Sequence, residues 1–193
     1  DTRKKKCEHF RIPEDLHDDE KWQDSNGTWH VHVSGTRGRL RIKGGRNCPE
    51  KSAIKITGES PVRLYLDGDL TTDSEVWIDT TDVNHAADFM ILGTPTAKAG
   101  QKIDIKGEAP NGEALKTFIW LPTGEVRFQA ARRNRLIEGA IWSNKLSQAR
   151  NRQNFFGNIE LRLPNDMPQL VYQRLGKEFG IGQRDYVAQG VTS

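Results

Sequence analysis

The sequence predicts an all-β fold, and three observations carry that prediction. Eleven short segments alternate apolar and polar residues with a period of two. Glycine follows them repeatedly, as in "VSG", "IKG", "ITG", "LDG" and "ILG", where its tolerance of positive φ suits a turn. Apolar residues spaced three and four apart, the mark of an amphipathic helix, are missing almost everywhere.

In order, the segments are WHVHV (29–33), LRIK (40–43), IKI (54–56), VRLYL (62–66), VWI (76–78), FMIL (89–92), IDI (103–105), FIWL (118–121), VRF (126–128), LIEGAIW (136–142) and IELRL (159–163). Ahead of them, residues 13–24 carry Glu14, Asp15, Asp18, Asp19, Glu20 and Asp24 against Lys21 alone. This reads as a solvated, irregular strap over residues 1–28, with one helical turn begun at Pro13. Residues 165–193 hold the one fair helix candidate, about 166–178, begun beside Pro168 and ended by Gly180. Such a helix suits a cap.

At 193 residues the chain is long enough for one substantial core and short for two. Its mean hydropathy of -0.73 is polar, yet 28% charged residues of mixed sign fall short of disorder. The net charge of +3 singles out no class of partner. No run of 18 apolar residues occurs and the first residue is Asp1, so the chain reads as an excised soluble fragment without a leader or a membrane span.

Two architectures fit this rhythm. A sandwich or barrel would join its strands by tight Asn-Gly or Asp-Gly hairpins, and only Asp67-Gly68 lies closely between apolar segments. A β-solenoid would stack short strands turn upon turn, each inward residue on its equivalent below. The short segments favour the solenoid; the absence of a fixed repeat length speaks against it. Periodicity leaves both open.

Three stretches resemble the β-solenoid domain of PilX-like minor pilins and related bacterial surface proteins: "PVRLYLDGDLTTDSEVWI" (61–78), "DFMILGTP" (88–95) and "FIWLPTGEVRFQAARRNRLIEGAIWSNKL" (118–146). The family pattern has alanine before the proline, where this chain has Leu121, and a small residue after it, where this chain has Thr123-Gly124. The charged stretch 130–136 replaces a short polar turn, and the pilin's apolar N-terminal helix is not among these residues. The resemblance implies a right-handed, single-stranded β-solenoid of roughly four coils over residues 29–164, flanked by the strap 1–28 and a short helical cap in 165–193. It also implies a non-catalytic extracellular, cell-surface or periplasmic module of a type IV pilus-associated protein. Such a module presents a surface for adhesion or filament assembly, with other pilins or pilus-assembly proteins as partners.

Cys7 and Cys48 lack a C-x-x-C spacing, so they read either as two buried thiols or as one bridge worth roughly 3–4 kcal/mol across its loop. The extracellular location that the resemblance implies favours the bridge.

Candidate chemistry is sparse. His30 and His32 share a strand face without a third ligand nearby, and read as a solvent-facing pair. Asp67 and Asp69 flank a glycine that suits a solenoid corner better than acid/base work. No G-x-S-x-G, H-E-x-x-H or phosphate loop occurs, so the sequence predicts no enzyme, no metal and no cofactor. Between residues 126 and 162, eight cations face only Glu138 and Glu160. Arg127, Arg132, Arg133, Arg135, Lys145, Arg150 and Arg152 are the candidate site for DNA or an anionic polysaccharide, through the loops 129–135 and 147–154. That gives two alternatives: a DNA-binding receptor in natural DNA uptake, and a carbohydrate-binding or carbohydrate-active β-helix. Of Trp22, Trp29, Trp77, Trp120 and Trp142, some should face outward, where an indole offers a stacking surface.

Overall fold

In the computed structural model, which describes residues 2–4, 10–34, 39–43, 52–57, 59–73, 76–149, 157–171 and 173, the chain winds as a β-solenoid of about four turns. The described strands are β1 (Thr2–Lys4), β2 (Phe10–Ile12), β3 (Lys21–Gln23), β4 (Trp29–Val33), β5 (Arg39–Lys43), β6 (Ser52–Ile56) and β7 (Val62–Leu66). They continue with β8 (Asp69–Thr72), β9 (Val76–Asp79), β10 (Phe89–Gly93), β11 (Lys102–Ile105), β12 (Leu115–Gln129), β13 (Arg135–Ala149) and β14 (Ile159–Arg162). The strands stack on three sides. Side one runs β4, β7, β10, the first half of β12, the first half of β13, then β14. Side two runs β1, β5, β8, β11 and the second halves of β12 and β13. Side three holds β2, β6 and β9.

All of these pairings are parallel. On side one Trp29 pairs with Val62, Val62 with Phe89, Met90 with Phe118 and Leu115 with Ile137, steps of 33, 27, 28 and 22 residues. Unequal steps explain why no repeat length is legible in the sequence. The strands keep their register while the corners vary: Asp67-Gly68 makes one corner, and residues 94–101 make its counterpart a turn later. In the next turn β12 bends round the same corner as one strand, with a bulge between Leu121 and Glu125.

Rungs about 4.8 Å apart bring side chains of equal register into contact, so apolar columns form the core. One column runs Val31, Leu64, Ile91, Ile119, Ile141; another runs Leu70, Ile103, Val126, Leu146; a third runs Phe10, Ile54, Ile78. Their middle members are fully buried. At the varied corner, buried Gln101 donates from Nε2 to the Leu66 carbonyl at 2.7 Å and the Gly68 carbonyl at 2.6 Å, fastening the long corner to the short one. Gly93 and Gly124 make room for it: a β-carbon there would lie 2.7 Å and 2.5 Å from Gln101 oxygens.

The N-terminal segment contributes the short strands β1 and β2 and a hairpin. β3 pairs antiparallel with β4, covering that strand's open edge, and Leu16 of the strap is buried in the core. A helix does start at 167, within the span the sequence predicts. Its Met167 and Val171 pack on Met90, Leu92 and Phe118, the outward residues of side one, together with Ala86 and Ala87. That helix explains why FMIL is buried along its whole length: Ile91 faces the core, while Met90 and Leu92 face the helix.

Candidate functional site

The outer surface of side two is a ladder of charge. Asp69, Lys102, Glu125 and Lys145 follow one another from rung to rung, with Asp104 and Arg127 in the neighbouring column. The Asp69 carboxylate accepts from Lys98 Nζ and, at 2.8 Å, from the Lys102 backbone N–H. Lys102 and Lys145 each stand 3.4 Å from the Glu125 carboxylate, and Ser147 donates its hydroxyl to it. The Ser147 hydrogen bond, more than the two lysine charges, lowers the Glu125 carboxyl to about 2 against the cost of its partial burial. Arg127 donates from two nitrogens to the Asp104 carboxylate, which holds the guanidinium's proton more tightly than usual. Opposite charges at a rung's spacing thus bind turn to turn.

The structure therefore separates the candidate cations. Arg127 and Lys145 belong to the ladder. Arg135, the first residue of β13, is half-buried where side one begins: its Nε donates to the Gln129 carbonyl at 2.9 Å, and its terminal nitrogens donate to the carbonyls of Gly107 (2.6 Å) and Lys106 (2.8 Å). Burial pushes this guanidinium's pKa down, offset to a degree by the charge of Glu108. It serves to pin residues 106–107, where side three has no further strand among the described residues, and it lines a shallow pocket there with Trp77, Glu108 and Glu113. Arg132 and Arg133 stay together and exposed on the turn after β12, where their backbone N–H groups donate to the Glu108 carboxylate at 3.3 Å. Arg150 and Arg152 lie outside the described residues, as do Cys7 and Cys48.

Side one carries the aromatic residues. His32, Tyr65, Leu92, Trp120 and Trp142 form one outward column. At its end the indoles of Trp120 and Trp142 lie 5.1 Å apart and tilted by 34°, with Trp142 39% exposed. Trp77, by contrast, is buried.

The histidines do share a face, but the solvent-facing pair needs correction. His30 is 5% exposed, because the β3 hairpin lays Trp22 on it, ring centroids 3.9 Å apart and nearly parallel. Its ring nitrogens lie 3.0 Å from Tyr65 Oη and from Asp24 Oδ2, and the bond to His30 lowers the Asp24 carboxyl's pKa. His32 remains exposed and meets Asp67 at 3.0 Å. Asp67 itself is buried at the corner, where Thr94 also donates to it. Among the described residues no group of three or more His, Cys, Asp or Glu side chains is placed to hold a metal ion.

The chain matches no family model, no curated protein and no solved structure. Of the expected kinship, the β-solenoid of about four turns stands.

Sequence reasoning missed the Asp104–Arg127 and Glu125–Ser147 contacts. The signal lay in IDI and VRF, each with one charged residue between two inward ones, but pairing them requires the register between rungs.

Proposed function

We propose that this solenoid is a non-catalytic display module of an extracellular, pilus-associated protein, presenting its outer surface for adhesion. The observation that carries the adhesive role is the Trp120–Trp142 pair. Two indoles from consecutive rungs stand outward at the end of a column, with Trp142 open to solvent, and such a surface suits stacking against the apolar face of a sugar ring. The non-catalytic character is supported by the engagement of Asp67, Asp69, Asp104 and Glu125, each of which accepts hydrogen bonds from neighbouring corners or rungs. The pilus association rests on the resemblance of residues 61–78, 88–95 and 118–146.

The test is binding of the chain to a glycan array and to sheared type IV pili, beside Trp142→Ala with unchanged circular dichroism. Binding to either that falls about tenfold in the variant supports the proposal, since loss of a stacked aromatic contact is worth about 1–3 kcal/mol. No binding to either, or binding indifferent to the substitution, refutes it.

One observation favours a second reading, a receptor for DNA: Arg132 and Arg133 sit side by side and exposed on one turn. A gel shift at two salt concentrations, with and without Arg132→Glu and Arg133→Glu, decides it. DNA held through phosphates is released steeply by salt and by the double substitution, and failure to bind even at low salt removes this reading.

A further inference from the structure

The two ends of the solenoid differ. At the first turn the strap and β3 close the stack, and Val31, Phe10, Ile12 and Leu16 are all buried. At the last turn the core columns run out with no described residue covering them. Leu161 lies in register with buried Ile137, yet is 48% exposed. Leu146 ends the column above Val126 at 42% exposed, and Leu163, just past β14, is 53% exposed. These side chains hold core positions on a rung with nothing above it among the described residues. Among the described residues β14 also has a strand partner, β13, on one side only. An edge strand with unpaired backbone groups and leucines beside it is a template for another strand.

We infer that a second copy of this chain covers the end, through antiparallel pairing of β14 with its symmetry mate about a two-fold axis. The strand's own sequence favours that occupant. Residues 159–163 read Ile-Glu-Leu-Arg-Leu, which is self-complementary when reversed about its centre. In an antiparallel pair centred on Leu161, Leu161 faces Leu161, Ile159 faces Leu163, and Glu160 of each copy faces Arg162 of the other. Apolar residues then meet on the inward side and opposite charges on the outward side. Within one copy Arg162 already reaches Glu160 at 3.1 and 3.0 Å, and both lie exposed at the edge, placed to exchange partners across it. A two-fold axis perpendicular to the sheet keeps inward faces inward, so the two open cores abut and side one continues from one copy into the other. A parallel arrangement in the same register would set glutamate beside glutamate. This pairing is independent of where the module is displayed and of what its tryptophans bind.

The test is sedimentation velocity of the whole chain over a concentration series, with four samples beside it: Leu161→Asp, Glu160→Arg, Arg162→Glu and the double swap Glu160→Arg/Arg162→Glu. The chain as it stands should form a concentration-dependent dimer. Leu161→Asp should be a monomer with unchanged circular dichroism, since a carboxylate at that exposed position leaves the fold intact. Each single charge variant sets like charges opposite one another at two symmetric places, and should weaken dimerisation about tenfold or more. The double swap restores both pairs and the dimer. An equimolar mixture of the two single variants should dimerise more tightly than either alone, because one copy then carries two cations where the other carries two anions. A chain monomeric at every concentration, single variants that dimerise as well as the parent, or a double swap and a mixture that fail to recover it would each overturn the inference.

Discussion

Ile103 and Leu146 occupy the same inward column of side two, one in its middle and one at its end, and truncating each to alanine should cost very different amounts. Ile103 lies between Leu70 and Val126 and is 0% exposed. Ile103→Ala removes three methylene equivalents at about 0.8 kcal/mol each, roughly 2.4 kcal/mol. The gap left between two fixed rungs does not collapse, which raises the total to about 3–4 kcal/mol. Among the described residues Leu146 has a rung on one side only, and it is 42% exposed. Leu146→Ala forfeits about half the transfer energy and opens no enclosed void, so it should cost about 1 kcal/mol. Urea unfolding at low protein concentration, followed by tryptophan fluorescence and far-UV circular dichroism, measures both; the midpoints should move and the slopes should not. Equal costs, or a larger one at Leu146, would refute a core built as columns along an axis.

Gly107→Ala should destabilise by about 1–3 kcal/mol or more, because a β-carbon there would lie 1.8 Å from the Val76 carbonyl oxygen and force neighbouring rungs apart; urea unfolding against the parent chain reads it. Glu125, with its pKa lowered from the usual 4.5 to about 2, lends stability that is present above 4.5 and lost as pH falls through about 2. Ser147→Ala should therefore destabilise the chain at neutral pH and differ little from the parent near pH 2, read as urea midpoints; a gap constant with pH would contradict this. The strands flanking Cys7, β1 and β2, pair with the strands flanking Cys48, β5 and β6. For an extracellular module this predicts no free thiol by titration under non-reducing conditions and two after reduction, whereas two thiols before reduction would count against the bridge.

What the sequence made legible is the inward half of the structure. VRLYL, IDI and VRF show their apolar alternation locally, and the column positions Leu64, Ile103 and Val126 follow from it. Strand β8 escaped, because DLTT has one apolar residue and its buried Thr72 bonds to the Lys106 N–H of the next turn. The long β12 read as two segments, since Pro122, Thr123 and Gly124 look like a turn, and only the neighbouring rung shows them to be a bulge. The site was harder still. Arg127 and Arg135 look alike in a basic tract, yet one meets Asp104 across a rung and the other is folded over three carbonyls. His30 reads as exposed until the hairpin that places Trp22 above it is known. Apart from the Trp22–His30 stack, the missed contacts join residues some 20 to 35 apart, set by corners whose lengths no local pattern encodes.

The chain advances in parallel rungs, and backbone nuclear Overhauser effects test this winding most directly. The account predicts sequential contacts from Leu64 to Ile91 and from Ile91 to Ile119, in the staggered pattern of parallel strands. Strong contacts between α-protons of strands adjacent in sequence, such as β7 and β8 across Asp67-Gly68, would mean a hairpin at that corner and contradict it.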